Sequence, residues 1–341
     1  MSAVVAPSVS PEALAARLVR FEDLRPCTTA FIDARTPGSD RKENFTIIGP
    51  GVAENPDQHV HISIPHGFNI GGARQPPHCV NSQHSHATAE VFVVHSGTWA
   101  FRLGERGTDA EIIIRPGDTI SIPTGVFRGF ENVGADTGFL FSVLGGDDPG
   151  HVTWAPDVFA MAKDYGLVLL ESGRLIDTAR GERVPTGLKP QAPPSIAVVA
   201  GMRRMTAAEI AACVAPTDSL ARTASGGLNG PGVTEAPIIG GAAEGLPAGK
   251  MAWPHGFHVR RLDLAPAAVT PRHVRREEEV LLVHQGNLDF IWDGGKLALG
   301  AGDTFTVPTT LARQFANRGP GPAVAYVVRG GDRPAAAQII G

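Results

Sequence analysis

The sequence is poor in the residues that mark several functional classes. It has three cysteines in 341 residues, Cys27, Cys79 and Cys213, and no Cys-x-x-Cys pair. Neither a disulfide framework nor a thiolate zinc site is therefore expected. Charged residues make up only 19% of the chain, with a formal net charge of −4. This balance offers no basic surface for nucleic acid or for an anionic membrane.

Long apolar runs are also missing. No apolar stretch reaches the roughly 18 residues of a membrane span, and the N-terminus lacks the basic and apolar segments of a signal peptide. The 41 glycines and 28 prolines are typical of many short strands joined by tight turns. We therefore expect a soluble protein of the cytoplasm that binds neither membrane nor nucleic acid. Homo-oligomers are common among such proteins, and the sequence leaves that point open.

An internal repeat organises the chain. The sequence Pro-His-Gly-Phe occurs at 65–68 and at 254–257, an offset of 189 (254 − 65). Further along the offset becomes 185, so the second copy is four residues shorter in the interval 101–117. The matched pairs include His84 and His273, Glu90 and Glu279, Gly97 and Gly286, Gly117 and Gly302, Arg128 and Arg313, and Asn132 and Asn317. A gene duplication accounts for so many matches at constant offset.

Each copy has the pattern of an antiparallel β-structure. Short segments rich in β-branched and aromatic residues alternate with Gly, Pro, Asp and Asn, which predicts a sandwich or barrel. The predicted strands are 90–94, 98–103, 111–115, 119–122 and 139–144 in the first copy, and 280–283, 288–292, 296–299, 304–307 and 324–328 in the second. We predict an all-β chain with minor helices, built as two tandem barrels.

The remaining segments predict connections and short helices. The predicted division is an N-terminal arm over 1–40, the first barrel over 41–150, a helical and loop linker over 151–235, and the second barrel over 236–341. Helices are expected in 11–20 and in 155–166, where Pro156 stands near the start. Another is expected to begin at Thr206, which forms a capping box with Glu209.

Candidate chemistry lies in one stretch of the first copy. His84 and His86 are followed by a carboxylate, Glu90, four residues later. On a single strand without a bulge, all three side chains would lie on one face. Two imidazoles and one carboxylate from one face form a facial triad that leaves positions open for water, dioxygen or substrate. Such a site suits one divalent transition metal, Fe(II), Mn(II), Co(II), Ni(II) or Zn(II).

These residues resemble the cupin superfamily. His84, His86, Glu90 and Gly97 match its first motif, G-x5-H-x-H-x3,4-E-x6-G, although His78 stands at the leading glycine. Its second motif, G-x5-P-x-G-x2-H-x3-N, is matched by Gly117, Pro123, Gly125 and Asn132, with Arg128 at the histidine position. The resemblance implies two tandem cupin domains, a bicupin of double-stranded β-helix or jelly-roll barrels. It also implies His84, His86 and Glu90 as metal ligands.

The second copy departs further from these motifs. His273 and Glu279 remain, but Arg275 stands at the second histidine and Arg313 at the last one. An arginine at this place would repel a cation, and Arg275 could pair with Glu279 in a buried ion pair. We therefore expect the second barrel to be metal-free, with a structural or oligomeric role.

Arg128 has two interpretations. As a catalytic residue, its guanidinium would bind an acidic oxygen of the substrate beside the metal. Alternatively, Arg128 pairs with Glu90 and no metal binds. Among other histidines, His61 and His78 are candidates for an acid or base near the metal, and His95 should point away from the pocket because its strand parity is opposite to that of Glu90.

The leading functional hypothesis is a metal-dependent enzyme acting on a small anionic molecule. Ring-cleaving and flavonol dioxygenases, which resemble this chain in keeping one competent site, favour an oxygenase with its active site in the first barrel; isomerase and lyase chemistry also occurs on the fold. An oxalate-decarboxylase type is disfavoured, because that class normally keeps both metal sites. The alternative is a non-catalytic bicupin, ligand-binding or structural, with Arg128 and Glu90 paired in place of a metal.

Overall fold

The computed structural model describes residues 9–223 and 226–340. Its helices are α1 Pro11–Ala15, α2 Pro156–Asp164, α3 Ile196–Ala200 and α4 Ala207–Ala212. Its strands up to residue 145 are β1 Leu18–Val19, β2 Glu43–Ile48, β3 Val60–Ile62, β4 Phe68–Gln75, β5 Val80–Ser85, β6 Glu90–Ser96, β7 Trp99–Leu103, β8 Ala110–Ile114, β9 Thr119–Ile122, β10 Arg128–Asn132 and β11 Gly138–Gly145. The later strands are β12 Thr153–Trp154, β13 Leu167–Leu169, β14 Leu175–Asp177, β15 Val214–Ala215, β16 Val233–Ile239, β17 Phe257–Leu264, β18 His273–Val274, β19 Glu279–Gln285, β20 Leu288–Trp292, β21 Gly295–Leu299, β22 Thr304–Val307, β23 Arg313–Ala316, β24 Ala323–Gly330 and β25 Gln338–Ile339.

The chain forms two compact units, and residues 25–217 make up the first. It contains a seven-stranded sheet in the order β15-β9-β6-β11-β4-β2-β3 and a five-stranded sheet in the order β12-β5-β10-β7-β8. Aromatic residues from both sheets meet in the core: the ring of Phe92 on β6 lies 5.0 Å from Phe101 on β7 and 5.3 Å from Phe130 on β10. Contact between these rings holds the two sheets face to face.

The second unit repeats this topology. It comprises the chain up to Leu24 together with 218–341, and its sheets have the orders β1-β22-β19-β24-β17-β16 and β21-β20-β23-β18-β25. Phe290 on β20 and Phe305 on β22 bring the two sheets together at 4.8 Å. Apart from β3, which has no counterpart among the described strands of the second unit, these orders match those of the first when the five-stranded order is read in reverse. The predicted all-β tandem jelly-roll fold is therefore confirmed. None of the helices in the described residues has the length and apolarity to cross a membrane.

A short helix followed by a short strand precedes each copy, and it packs in the unit formed by the other copy. Ser10 caps α1. Thr206 caps α4 through the capping box with Glu209 that the sequence predicts. After α1, β1 pairs with β22 of the second unit, whereas β15, after α4, pairs with β9 of the first. Each helix–strand segment therefore joins the unit of the other copy. The arm predicted over 1–40 and the linker predicted over 151–235 are therefore each divided between the two compact units, at 24/25 and at 217/218.

The repeated Pro-His-Gly-Phe sequences have a structural role. Asp147 Oδ1 accepts hydrogen bonds from the backbone N–H groups of His66 and Gly67, at 3.1 and 2.7 Å. In the second unit Asp332 Oδ1 receives the same two bonds, from His255 and Gly256, at 3.0 and 2.8 Å. The Gly-Gly-Asp sequence at the end of each copy (145–147 and 330–332) therefore supplies the carboxylate that holds the Pro-His-Gly-Phe turn at the beginning of that copy.

Residues that replace a motif glycine keep the left-handed backbone conformation of that glycine. Among the described residues, three that are not glycine have positive φ: His78 at 61°, Ala267 at 64° and Thr310 at 61°. All three stand at motif glycine positions, since 78 + 189 = 267 and 125 + 185 = 310. Gly125 itself has φ 71°. The fold keeps a left-handed residue at each of these places even where the sequence has lost the glycine that tolerates it best.

Candidate metal centre

His84, His86 and Glu90 come together, but one strand does not carry them. His84 lies on β5 of the five-stranded sheet, and Glu90 begins β6 of the seven-stranded sheet. His86 lies in the connection between these strands. The prediction of a single strand is wrong, because the chain turns at 86–89 and crosses from one sheet to the other. The cluster forms because the crossing brings both strand ends to one end of the cavity between the sheets.

The three side chains are buried and close together. His84, His86 and Glu90 are 5%, 4% and 5% exposed, and one possible ligand atom of each lies within 4.8 Å of those of the others. Nε2 of His86 lies 3.7 Å from Oε2 of Glu90. Within the described residues, this is the one group of at least three His, Cys, Asp or Glu side chains arranged to hold a metal.

The orientation of His84 is fixed by its neighbours. Its Nδ1 lies 2.7 Å from the carbonyl oxygen of Ser82, so Nδ1 carries the proton and donates, and Nε2 keeps the lone pair. The ring also packs against Trp154, with the centroids 5.2 Å apart. Nδ1 of His86 is buried and has no hydrogen-bond partner among the described residues.

Arg128 contacts Glu90. Its Nη2 donates to Oε2 of Glu90, and its Nη1 donates to the carbonyl oxygen of His84 at 3.0 Å. The side chain is 1% exposed. The guanidinium thus stands behind the cluster, tied to the residues predicted as ligands.

Burial and the neighbouring guanidinium set the charge states. Burial first, and then Arg128, lower the pKa values of both His84 and His86 well below the usual range of histidine. Both rings are therefore neutral near neutral pH and have lone pairs to offer. Burial raises the pKa of Glu90, and the adjacent Arg128 opposes this by stabilising the carboxylate.

The cluster lies on the wall of a small cavity of about 70 Å³. His84, His86 and Glu90 form one part of the wall, and apolar side chains form much of the rest. The apolar lining residues are Phe31, Phe45, Val52, Ala53, Ala73, Phe92, Phe130, Leu144, Val152 and Trp154. Arg128 is not among the lining residues, so the structure does not place its guanidinium in the cavity.

The sequence matches the cupin domain family twice, over residues 73–144 and 260–329. One of these stretches lies within each repeated unit. The chain therefore carries two cupin domains, the arrangement of a bicupin.

Solved structures share the whole bicupin fold. A point variant of oxalate decarboxylase from Bacillus subtilis matches at a TM-score of 0.56 and 13% identity, covering 98% of this chain and 80% of that one. Oxalate decarboxylase from Lactobacillus farciminis, in its formate complex, matches at 0.56 and 12% identity, covering 98% and 90%. At this identity the likeness concerns the fold. A search of curated proteins finds no significant match.

The second unit of the bicupin replaces the cluster with ion pairs. Arg275 takes the place of the second histidine, and its Nε lies 2.7 Å from Oε2 of Glu279. Arg313 Nη2 donates to the other oxygen of Glu279 at 3.2 Å. Burial opposes ionisation of Glu279, but Arg313 and Arg275 outweigh it and lower its pKa far below the usual range. Glu244 adds a second buried carboxylate, 3.3 Å from Arg275.

The other histidines lie outside the cluster. The side chain of His78 is 78% exposed. His61 accepts the backbone N–H of Arg25 at Nε2 and contacts the carbonyl oxygen of Thr46 through Nδ1. His95 packs its ring on Phe141 at 5.7 Å. None of these three histidines lines the cavity, so the structure brings neither His61 nor His78 to the position of an acid or base.

Sequence reasoning missed a set of buried polar residues behind His84. Asp33, Lys42 and Asn81 are 0%, 0% and 4% exposed, and Asn81 lines the cavity. Glu54 is also buried and accepts hydrogen bonds from Trp154 Nε1 at 2.5 Å and from the backbone of Ile32 at 2.7 Å. The sequence signal was weak, because single charged residues in loops give no spacing pattern.

Proposed function

We propose that the first unit of this bicupin binds one divalent transition-metal ion through His84, His86 and Glu90 and is an enzyme acting on a small anionic molecule. The observation that carries this proposal is the buried His-His-Glu cluster on the wall of the 70 Å³ cavity. The residues fit such an ion, because two neutral imidazoles and a carboxylate are the donors that Fe(II), Mn(II), Co(II), Ni(II) and Zn(II) accept. The unpartnered Nδ1 of His86 is also typical of a site built for a ligand.

The cavity is narrow beside the cluster. Its volume of about 70 Å³ and its largely apolar wall suit a small carboxylate whose charged end reaches His84, His86 and Glu90.

Charge favours an anion. The two charges of a divalent ion together with Arg128 exceed the single negative charge of Glu90, and the apolar wall strengthens the field in the cavity. Arg128 acts here through Glu90: it orients the carboxylate and adds positive potential. We therefore assign it a positioning role, in place of the direct substrate contact predicted from the sequence.

Two reaction types fit this site. A bound ion would polarise a substrate oxygen and, as Fe(II), support reaction with dioxygen. The three-donor set supports an oxygenase, as the sequence predicted. The similarity in fold to oxalate decarboxylases, together with the small cavity, supports cleavage of a small dicarboxylate instead. The chain's own part is the same in both: it excludes water from the apolar wall and holds the donors in place.

The test is reconstitution with each metal, followed by assay of a panel of small carboxylates that includes oxalate. An oxygenase takes up dioxygen as the substrate disappears. A decarboxylase converts oxalate and a proton to formate and carbon dioxide, with no net uptake of dioxygen. His86→Ala should abolish turnover, and the matched His273→Ala, at the counterpart of His84, should leave it unchanged. Equal turnover in wild type and His86→Ala would refute the proposal.

A second candidate is a non-catalytic bicupin, and the contact between Arg128 and Glu90 favours it. The buried ion pair would then take the place of the metal, as the pairs around Glu279 do in the second unit. Protein that contains no transition metal after reconstitution, and whose melting temperature is unaffected by chelator, would support this candidate.

A further inference from the structure

A buried ion pair lies behind the candidate metal centre. Lys42 contacts Asp33, and neither side chain is exposed to solvent. The Lys42 ammonium also donates to Oδ1 of Asn81 at 2.9 Å and lies 5.9 Å from the ring of Trp154. Withdrawing both charges from water costs several kcal/mol per ion unless hydrogen bonds compensate it. A pair placed this deeply needs a structural or functional reason.

The pair connects to His84 through Ser82. Oδ2 of Asp33 accepts the backbone N–H of Ser82 at 2.9 Å, and the carbonyl of Ser82 accepts the Nδ1 proton of His84 at 2.7 Å. Nδ1 therefore carries the proton, and Nε2 remains the nitrogen with a free lone pair. Nδ2 of Asn81 lies 3.3 Å from the same Nδ1, but both nitrogens are donors in this tautomer, so the connection to His84 runs through Ser82 alone.

The second copy has different residues at the positions equivalent to Lys42 and Asn81. Glu43 pairs with Arg74, and Thr234 pairs with Asp263 at the equivalent register (74 + 189 = 263), so Val233 is the counterpart of Lys42. The counterpart of Asn81 is Thr270 (81 + 189 = 270). His273 still places its Nδ1 2.9 Å from the carbonyl oxygen of Pro271. The carbonyl contact thus belongs to both copies, whereas the second copy has Val233 in place of Lys42 and so lacks its buried ammonium.

We propose that Asp33, held in place by Lys42, is a positioning residue for His84 and fixes, through Ser82, the orientation in which Nε2 is available to a metal. The inference rests on the proposed metal site. Partners that orient a metal-binding histidine usually contribute about 10–100-fold to metal affinity. Lys42 lies behind the cavity wall and touches neither metal nor substrate, so its effect should appear in metal binding itself.

The test is titration of the full-length protein with Co(II), followed by its visible absorption spectrum. Lys42→Met and Asp33→Leu should each weaken Co(II) binding about 10–100-fold and alter the spectrum. The double variant should bind no more weakly than the weaker single one, because both changes break one connection. Asp33→Asn keeps an oxygen that can accept the backbone N–H of Ser82, so it should lose less Co(II) affinity than Asp33→Leu.

The control is Arg35→Met, which breaks the ion pair with Asp177 in the same unit. It should lower the melting temperature and leave Co(II) affinity unchanged. If Lys42→Met does not fold, the double variant of Lys42→Met with Asp33→Leu still decides, because it leaves no unpaired charge buried. Wild-type affinity in the double variant, or fully additive losses in it, would overturn the inference while leaving the metal site standing. Failure of the wild type to bind Co(II) would overturn the site and the inference together.

Discussion

The guanidinium of Arg128 contacts Oε2 of Glu90, the carboxylate oxygen that lies 3.7 Å from Nε2 of His86. A permanent cation therefore lies against the carboxylate of the proposed metal cluster, at the position where the cupin motif has a histidine. The same substitution occurs in the second unit, where Arg313 contacts Glu279. The difference between the units lies at the second histidine, since His86 is neutral and Arg275 is charged. Under the proposed assignment, that difference restricts metal binding to the first unit.

Removing the charge of Arg128 should tighten binding of the bare ion. Two like charges about 5 Å apart repel by about 3 kcal/mol at an effective dielectric constant of 20. Arg128→Gln should therefore raise Co(II) affinity at least about tenfold, measured by titration. Arg128→Lys keeps the charge and is the matched control. A lower affinity in Arg128→Gln would mean that orientation of Glu90 by the guanidinium outweighs the repulsion.

Restoring a motif glycine should stabilise the second unit. Thr310 is β-branched and has φ 61°, a conformation that costs an L-residue about 1–2 kcal/mol. Glycine relieves this strain and loses part of the gain through its more flexible unfolded state. Thr310→Gly should raise the free energy of unfolding by about 0.5–1 kcal/mol in urea titration. Thr309→Gly, beside it and without positive φ, should lower it; the same change in both variants would contradict the strain argument.

The exchanged helices predict where a core substitution acts. Leu14 of α1 is fully buried in the core of the second unit, and Ile210 of α4 is fully buried in the core of the first. Truncation of either to alanine should cost about 2–5 kcal/mol. Hydrogen exchange should show faster opening of β22 in Leu14→Ala and of β9 in Ile210→Ala. Faster opening of β9 in Leu14→Ala would contradict the exchange.

Glu54 should make stability depend on pH. Burial raises its pKa from 4.5 to about 8, although Trp154 and Ile32 donate hydrogen bonds that oppose the change. Between these values the folded protein holds a proton that the unfolded chain releases, so this group lowers stability as pH rises from 4.5 to about 8. In urea titrations, the free energy of unfolding of Glu54→Gln should decrease less than that of wild type between pH 4.5 and about 8. Glu171→Gln, at an exposed position, should behave as wild type. The same decrease in Glu54→Gln as in wild type would exclude Glu54 as the cause of the pH dependence.

Periodicity and repetition predicted most of the fold. Strands such as 119–122 and 304–307 follow from local composition, and the offsets of 189 and 185 predicted that both units share one topology. The exchange of α1 and α4 could not be predicted, because the choice of partner sheet depends on packing between segments distant in sequence. For the same reason the sequence predicted a cluster of His84, His86 and Glu90 but placed it on one strand, whereas the chain changes sheet at 86–89.

The polar surroundings of the site were the least predictable part. Arg128 was identified as the unusual motif residue, and both of its interpretations were open, because the direction of a long side chain is set by the partners that burial provides. Lys42, Asp33 and Glu54 belong to no motif, and only the fold shows that these ionisable side chains are buried near the cluster. Such residues are recognised from their burial and not from their spacing.

Metal content tests the account most directly. Wild-type protein reconstituted with Fe(II), Mn(II), Co(II), Ni(II) or Zn(II) and freed of excess ion should retain close to one ion per chain by elemental analysis. His86→Ala should retain almost none, and His273→Ala should match the wild type. Wild-type protein that retains no ion, or that loses it equally in His273→Ala, would contradict the assignment of the metal centre to the first unit.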